Sequence, residues 1–331
     1  MSIDQATLDA VIASLTTKTA KTKPHCLADC GERLDPMLVA DPDDGAGWHI
    51  GCEPAPAGPP PSTVAELRQV LIAYDASRPR SLQKRLGPSE LGTACQQQMA
   101  RKLAGAPRRP VDAPTWAPFQ GTAVHAEMEN VVAFWNAQLG RTRWLAEDDL
   151  EVDPGLPDVE GIRGHGDAFD LDHGMVVDWK HVGTTALNKL RTAKRMGKPA
   201  AEQVSAEYRA QAHLYGLGHQ RKGRDVRHVR LVLLARSWQY DDSEEWTEAY
   251  DPDIAYLAID RYYATVQLLL DLDVAANPAF IAAVPATPSS DSCKWCPFNR
   301  PGQPSSWDGC AGDIAAHQRR MDRITDGLIA P

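Results

Sequence analysis

The stretch that most limits the folds open to this chain is residues 164–182, GHGDAFDLDHGMVVDWKHV. It reads as two short β-rich pieces separated by a turn at Asp172-His173-Gly174. The turn sets Asp167 opposite Asp178 or one residue from opposite. Lys180, two residues beyond Asp178, shares its sheet face. Asp178 and Lys180 sit among residues that read as buried, and a buried strand tolerates a charged pair only with a partner. Uncompensated, the two carboxylates repel; a divalent cation removes the repulsion, and hard oxygen ligands suit Mg²⁺ or Mn²⁺. In such a site the ion polarises a phosphoryl oxygen while Lys180 positions and helps activate the attacking water.

The surrounding pattern is α/β. The run VRHVRLVLLARSW, from Val226, is the clearest buried strand, with LEVD near residue 150 as a further short one. Helices are expected over about 89–103, 118–139 (ended by Gly140), 200–217 and 252–274, the last opened by Asp251-Pro252. Thr63 and Glu66 form a capping-box pair before a helix running to about Asp75. A further helix is expected over 4–15, and a polar one after Gly312. The proline-rich stretch 53–62, EPAPAGPPPS, reads as a stiff spacer. It divides the 331 residues into an N-terminal segment, 1–52, and a main domain, 63–331.

Seven cysteines form an odd, clustered set that points to reduced thiols and metal sites rather than disulfides. In the N-terminal segment Cys26, Cys30, His49 and Cys52 supply the four N/S ligands of structural zinc, a staple that so short a segment needs in order to fold. Cys95 lies early in the main domain, and Cys293, Cys296 and Cys310 lie beyond its last core helix. Four such thiolates bind zinc or an iron–sulfur cluster, and spacing alone leaves both open.

Taken together, these elements resemble the RecB-like nucleases of the PD-(D/E)XK superfamily, with most likeness to the CRISPR-associated and phage-encoded exonucleases. The family's acidic residue and D/E-x-K triplet match Asp167 and Asp178-Trp179-Lys180. Its G-T-x-x-H-x-x-x-E helix matches GTAVHAEME, placing His125 at the metal-binding histidine and Glu129 one turn on. Its Q-x-x-x-Y helix matches Gln211 and Tyr215, which share a helical face and can hold the lysine or a substrate phosphate. The resemblance spans about residues 85–310. It implies a restriction-endonuclease-like core with flanking helices, exonuclease activity, and a [4Fe-4S] cluster on Cys95, Cys293, Cys296 and Cys310. The gap from Cys296 to Cys310 is longer than the family's usual one.

Net charge is −9, which excludes a globally basic nucleic-acid coat but leaves local patches. One runs from Lys180 through Lys189, Arg191, Lys194 and Arg195 to Lys198; another holds Arg221, Lys222, Arg224, Arg227 and Arg230. Arg78, Arg80, Arg85, Arg101, Arg108 and Arg109 extend the expected phosphate track. The N-terminus lacks the pattern of a signal peptide and no apolar run suits a membrane span, so a cytoplasmic protein is expected. The sequence therefore predicts a metal-dependent deoxyribonuclease acting on single-stranded DNA or duplex ends. The alternative is a non-catalytic DNA-end-binding or recombination adaptor with structural metal clusters.

Overall fold

The computed structural model describes residues 25–26, 39–41, 46–47, 62–77, 85–109, 116–237 and 239–312. The chain divides into two compact units, Met1–Glu66 and Leu67–Pro331. Within the first, β1 (His25–Cys26), β2 (Val39–Asp41) and β3 (Ala46–Gly47) form a small sheet in the order β1-β3-β2. Cys26 lies in β1; Cys30, His49 and Cys52 lie outside the described residues, as do the helices expected over 4–15 and after Gly312 and all of the spacer but Ser62.

Helix α1 (Thr63–Ser77) begins one residue earlier than the capping-box reading requires. Ser62 is the cap: its carbonyl takes the Ala65 and Glu66 amides and its hydroxyl lies 3.4 Å from the Ala65 nitrogen, which leaves Thr63 inside the first turn. The single helix expected over 89–103 is two, α2 (Pro88–Leu91) and α3 (Gln96–Leu103), separated at Gly92–Cys95. Gly92 causes the break, because it abuts the backbone of Glu207, where a side chain does not fit. Helix α4 (Trp116–Leu139) ends, as its sequence indicates, at Gly140 with φ of 64°.

The main sheet then forms from β4 (Trp144–Leu156), β5 (Val159–Asp170), β6 (Met175–Val182), β7 (His228–Ala235) and β8 (Glu244–Ala249), in that spatial order. All neighbouring pairs are antiparallel except β6 and β7, which run parallel in register from Met175↔His228 to Val182↔Ala235. A parallel pair needs a crossover. Helices α5 (Thr184–Arg195) and α6 (Ala206–Arg221) supply it. Helix α7 (Pro252–Asp271) follows, with the Asp251 carboxylate accepting the Asp253 amide at 3.0 Å.

The sheet is buried on both faces. On one, Leu150, Phe169, Val176, Leu231 and Trp246 pack with Leu214 and Leu217 of α6 and Ile259 and Tyr262 of α7. On the other, Trp144, Ala168, Val177, Trp179 and Leu234 pack under Val132 of α4. Strand alternation on β6 follows directly: Val176 and Val182 face α6, whereas Val177 and Trp179 face α4. On β4 the alternation changes phase. Trp144 and Ala146 face α4, but Leu150 and Val152 face α6. Between them Glu147 has φ of 46°, a left-handed conformation that few non-glycine residues adopt. Among the described residues, no helix is long and apolar enough to cross a membrane.

Candidate active site

The phase change in β4 sits where the acidic residues gather. In the β4–β5 register Glu147 falls opposite Asp167, between the pairs Ala146↔Ala168 and Asp148↔Gly166. Strands β5 and β6 pair only from Asp170↔Met175 to Ala168↔Val177. Beyond that the Asp167 carboxylate replaces a ladder carbonyl, accepting the Trp179 amide at 2.7 Å. Its other oxygen lies 3.2 Å from Nδ1 of His125, delivered by α4. Ligand atoms of His125, Glu147 and Asp167 all lie within 4.8 Å of one another.

Asp178 and Lys180 project from β6 toward α6. Asp178 is fully buried, and Lys180 Nζ lies 2.6 Å from its Oδ2. Gln211, buried on α6, joins the pair: its Oε1 accepts from Lys180 at 3.0 Å, and its Nε2 lies 3.2 Å from Asp178 Oδ1 and 3.1 Å from the Tyr215 hydroxyl. A cation on one side and a carboxylate on the other fix which way this amide points. The Tyr208 ring, one turn before Gln211, lies 5.2 Å from Lys180 Nζ.

These placements give the site an excess of negative charge in a buried setting. Burial, reinforced by Asp167, raises the Asp178 carboxyl to about 7 against the pull of Lys180. Burial and Asp167 also raise Glu147. Burial depresses Lys180, but the Asp178 and Asp167 carboxylates outweigh it and hold the ammonium above its usual range. His125 is raised by its hydrogen bond to Asp167. A divalent cation relieves these costs. The donor set, one imidazole nitrogen and two carboxylates, fits Mg²⁺ or Mn²⁺.

The sequence reading named His125, Asp167 and Asp178 as ligands. The structure sets Glu147 beside the first two, while both oxygens of Asp178 engage Lys180 and Gln211. Glu129 is exposed on α4 and outside the three-residue ligand group. Glu147 and Tyr208 are the two site residues that sequence reasoning missed. The only trace of Glu147 is an acidic run, Glu147-Asp148-Asp149, interrupting an apolar strand.

The expected phosphate tracks are largely spent on internal ion pairs. Arg191 and Lys194 of α5 both bind Glu244 of β8. In the second patch Lys222 and Arg224 bind Asp148, Arg227 binds Asp225, Arg230 binds Glu245, and Arg221 lies 3.8 Å from Asp153. Arg101 is completely buried and touches no solvent, so it is not part of any DNA track. Arg195, Lys198, Arg108 and Arg109 remain exposed.

Cys95, at the N-cap of α3, lines one cavity together with Cys293, Cys296 and Cys310. Backbone amides of Ser289 and Gly312 each lie 3.4 Å from a sulfur, those of Cys293 and Cys310. Burial raises the Cys296 thiol to about 11. No three of the four sulfurs lie within 4.8 Å of one another.

The sequence matches no protein-family model and no curated protein. Among solved structures, it is similar to the crystal structure of an alkaline exonuclease, LHK-Exo, from Laribacter hongkongensis, at 16% identity. The match covers 61% of this chain and 93% of that one, with a TM-score of 0.37. The same exonuclease in complex with dAMP matches at 16% identity over 56% of this chain and 91% of that one, with a TM-score of 0.33. At these values the likeness is loose, and the chemistry of the site stands on its own residues.

Proposed function

We propose that the protein is a metal-dependent deoxyribonuclease of the PD-(D/E)XK type, acting as an exonuclease on DNA ends or single strands. The observation that carries this reading is the meeting of Asp167, Asp178 and Lys180 with His125 and Glu147 at one buried corner of the sheet. A binding module has no use for so costly a cluster. When bound, Mg²⁺ or Mn²⁺ polarises a phosphoryl oxygen and lowers the pKa of the attacking water. His125 and Asp167, joined by Glu147, would hold the ion, and Asp178 is the carboxylate of the D-x-K triplet beside them. Lys180 orients the water. Gln211 holds Lys180 by its amide oxygen, and Tyr215 buttresses Gln211.

The same reading gives the cysteine cavity, lined by all four cysteines, a [4Fe-4S] cluster, with zinc as the alternative. It gives Cys26, Cys30, His49 and Cys52 a structural zinc ion, and the boundary near Ser62 a division between that module and the nuclease domain.

The test uses the purified full chain with end-labelled single-stranded and duplex DNA, with Mg²⁺, with Mn²⁺ and with EDTA. Metal-dependent release of mononucleotides is expected, lost in Asp178→Ala and Lys180→Ala while circular dichroism is unchanged. Binding to DNA ends without hydrolysis in either metal would establish the adaptor instead.

A further inference from the structure

Among the described residues, Arg101 is a wholly buried cation that the acidic site does not use. It lies on α3, two turns after Cys95, and is 0% exposed. Its guanidinium donates to three backbone carbonyls of one loop: Trp307 at 3.1 Å, Ser306 at 2.8 Å and Gly309 at 2.9 Å. Its Nε is buried with no hydrogen-bond partner. Among the described residues no carboxylate pairs with it. An arginine stays charged at every pH a protein meets, so the charge cannot be shed. Carbonyl dipoles solvate it in part. A wholly buried cation without a counter-charge nevertheless costs several kcal/mol.

The groups able to supply that counter-charge share its cavity. Arg101 lines it together with Cys95, Cys293, Cys296 and Cys310. Four neutral thiols give no charge. Four thiolates on a doubly positive ion or cluster core leave two net negative charges, beside a fixed cation. The backbone amides at the Cys293 and Cys310 sulfurs point the same way, since an N–H favours the anionic form of the sulfur it meets. Arg101 also straps the loop that carries Cys310 to the helix whose N-cap is Cys95.

We propose that Arg101 is the internal counter-charge of an anionic metal–tetrathiolate centre, and holds the Cys310 loop in place to complete it. This rests on the reading of the four cysteines as a metal site. Arg101 is a positioning residue; it touches neither the acidic site nor, buried as it is, DNA. The requirement excludes an occupant that leaves the cage neutral, and it makes the metal-free protein carry an uncompensated charge where α3 meets the 306–310 loop.

The experiment compares the full-length wild type with Arg101→Lys and Arg101→Gln, all purified without oxygen. Iron and zinc per chain are measured, then the rate at which a chelator removes the metal, with circular dichroism as the check on folding. Lysine keeps the charge and three donors; glutamine keeps hydrogen bonding alone. Partners next to a metal's ligands are worth about 10–100-fold in affinity. Arg101→Gln is therefore expected to lose metal about 10-fold faster or more, and Arg101→Lys to stay close to wild type. Where iron is found, the midpoint potential falls in Arg101→Gln and not in Arg101→Lys, because removing a nearby positive charge disfavours adding an electron. If Arg101→Gln proves insoluble, the lysine variant still decides, since metal loss about 10-fold faster than wild type in a folded Arg101→Lys would overturn the counter-charge. Wild-type metal retention in Arg101→Gln would overturn it while leaving the centre intact. Wild-type protein carrying neither iron nor zinc at these cysteines would overturn the centre itself.

Discussion

Replacing Gln211 by leucine isolates the amide that joins the acidic site to its lysine. The volumes are similar, so little cavity forms, but Lys180 loses an acceptor at 3.0 Å and Asp178 loses a donor at 3.2 Å. Hydrogen bonds to charged groups contribute about 1.5–3 kcal/mol each. Two such losses, offset by roughly 1–2 kcal/mol from the better burial of leucine, leave a net destabilisation of about 3 kcal/mol. At ~2–4 °C per kcal/mol in domains of about 150–250 residues, the melting temperature falls by ~6–12 °C. The effect on rate is larger. Lys180 keeps its ion pair with Asp178 and the Tyr208 ring, so it stays in the site but is no longer aimed. A displacement near 1 Å costs about 10²-fold. Single-turnover degradation of end-labelled DNA at saturating Mg²⁺ should therefore slow by ~10²-fold with Kd for DNA unchanged. The decisive comparison adds Gln211→Leu to Lys180→Met. If Gln211 works through Lys180, the second change costs little more. Losses that multiply, or a Gln211→Leu enzyme at full rate, would refute the assignment.

Other perturbations follow from the same geometry. Glu147→Ala should weaken Mn²⁺ binding by at least about 10-fold, read by titration calorimetry, with Asp178 and Lys180 still paired; unchanged affinity would remove Glu147 from the ligand set. Gly92→Ala puts a methyl 2.6 Å from the backbone of Glu207, so α2 or α6 must move, costing about 1–3 kcal/mol in urea unfolding and slowing cleavage through Tyr208 and Lys180. Burial lowers His213 to about 4 and His219 to about 3. Both are neutral in the folded protein but charge near pH 6.5 once unfolded, so their stabilisation is complete above that pH and is lost as pH falls toward 4 and 3. At pH 5 each should have cost about 2 kcal/mol relative to pH 7, and urea midpoints at the two pH values measure it.

What was legible in the sequence was whatever strand alternation and turn chemistry control. Asp178 and Lys180 share a face of β6 because nothing perturbs that strand, and the 172–174 turn sets Asp167 against it. His125, Gln211 and Tyr215 came from the resemblance to the nuclease family's motifs, with which their helical spacing agrees, and α4 and α6 bring all three to the acidic corner. Glu147 escaped because its side chain is aimed by a left-handed backbone that no glycine or asparagine announces. Helix α5 read as a run of basic charge, although Leu187, Leu190 and Ala193 mark its buried face at helical spacing. Strand β8, EEWTEA, hides a single buried Trp246 in an acidic edge, whose carboxylates then absorb the cations expected to meet DNA.

The bonds that tie α3 to the C-terminal loops set a schedule for synthesis. Gln97 donates to the carbonyls of Ile281, Ala282 and Val284, and Arg101 to those of Ser306, Trp307 and Gly309. A chain emerging from the ribosome thus exposes α3 long before its partners exist. At about 5–20 residues per second, the interval from residue 103 to residue 310 is roughly 10–40 s. Until then Gln97 and Arg101 have none of these carbonyls to bind. Helix α3 therefore gains these bonds late, after every residue of the acidic corner, drawn from positions 125–215, has already been made.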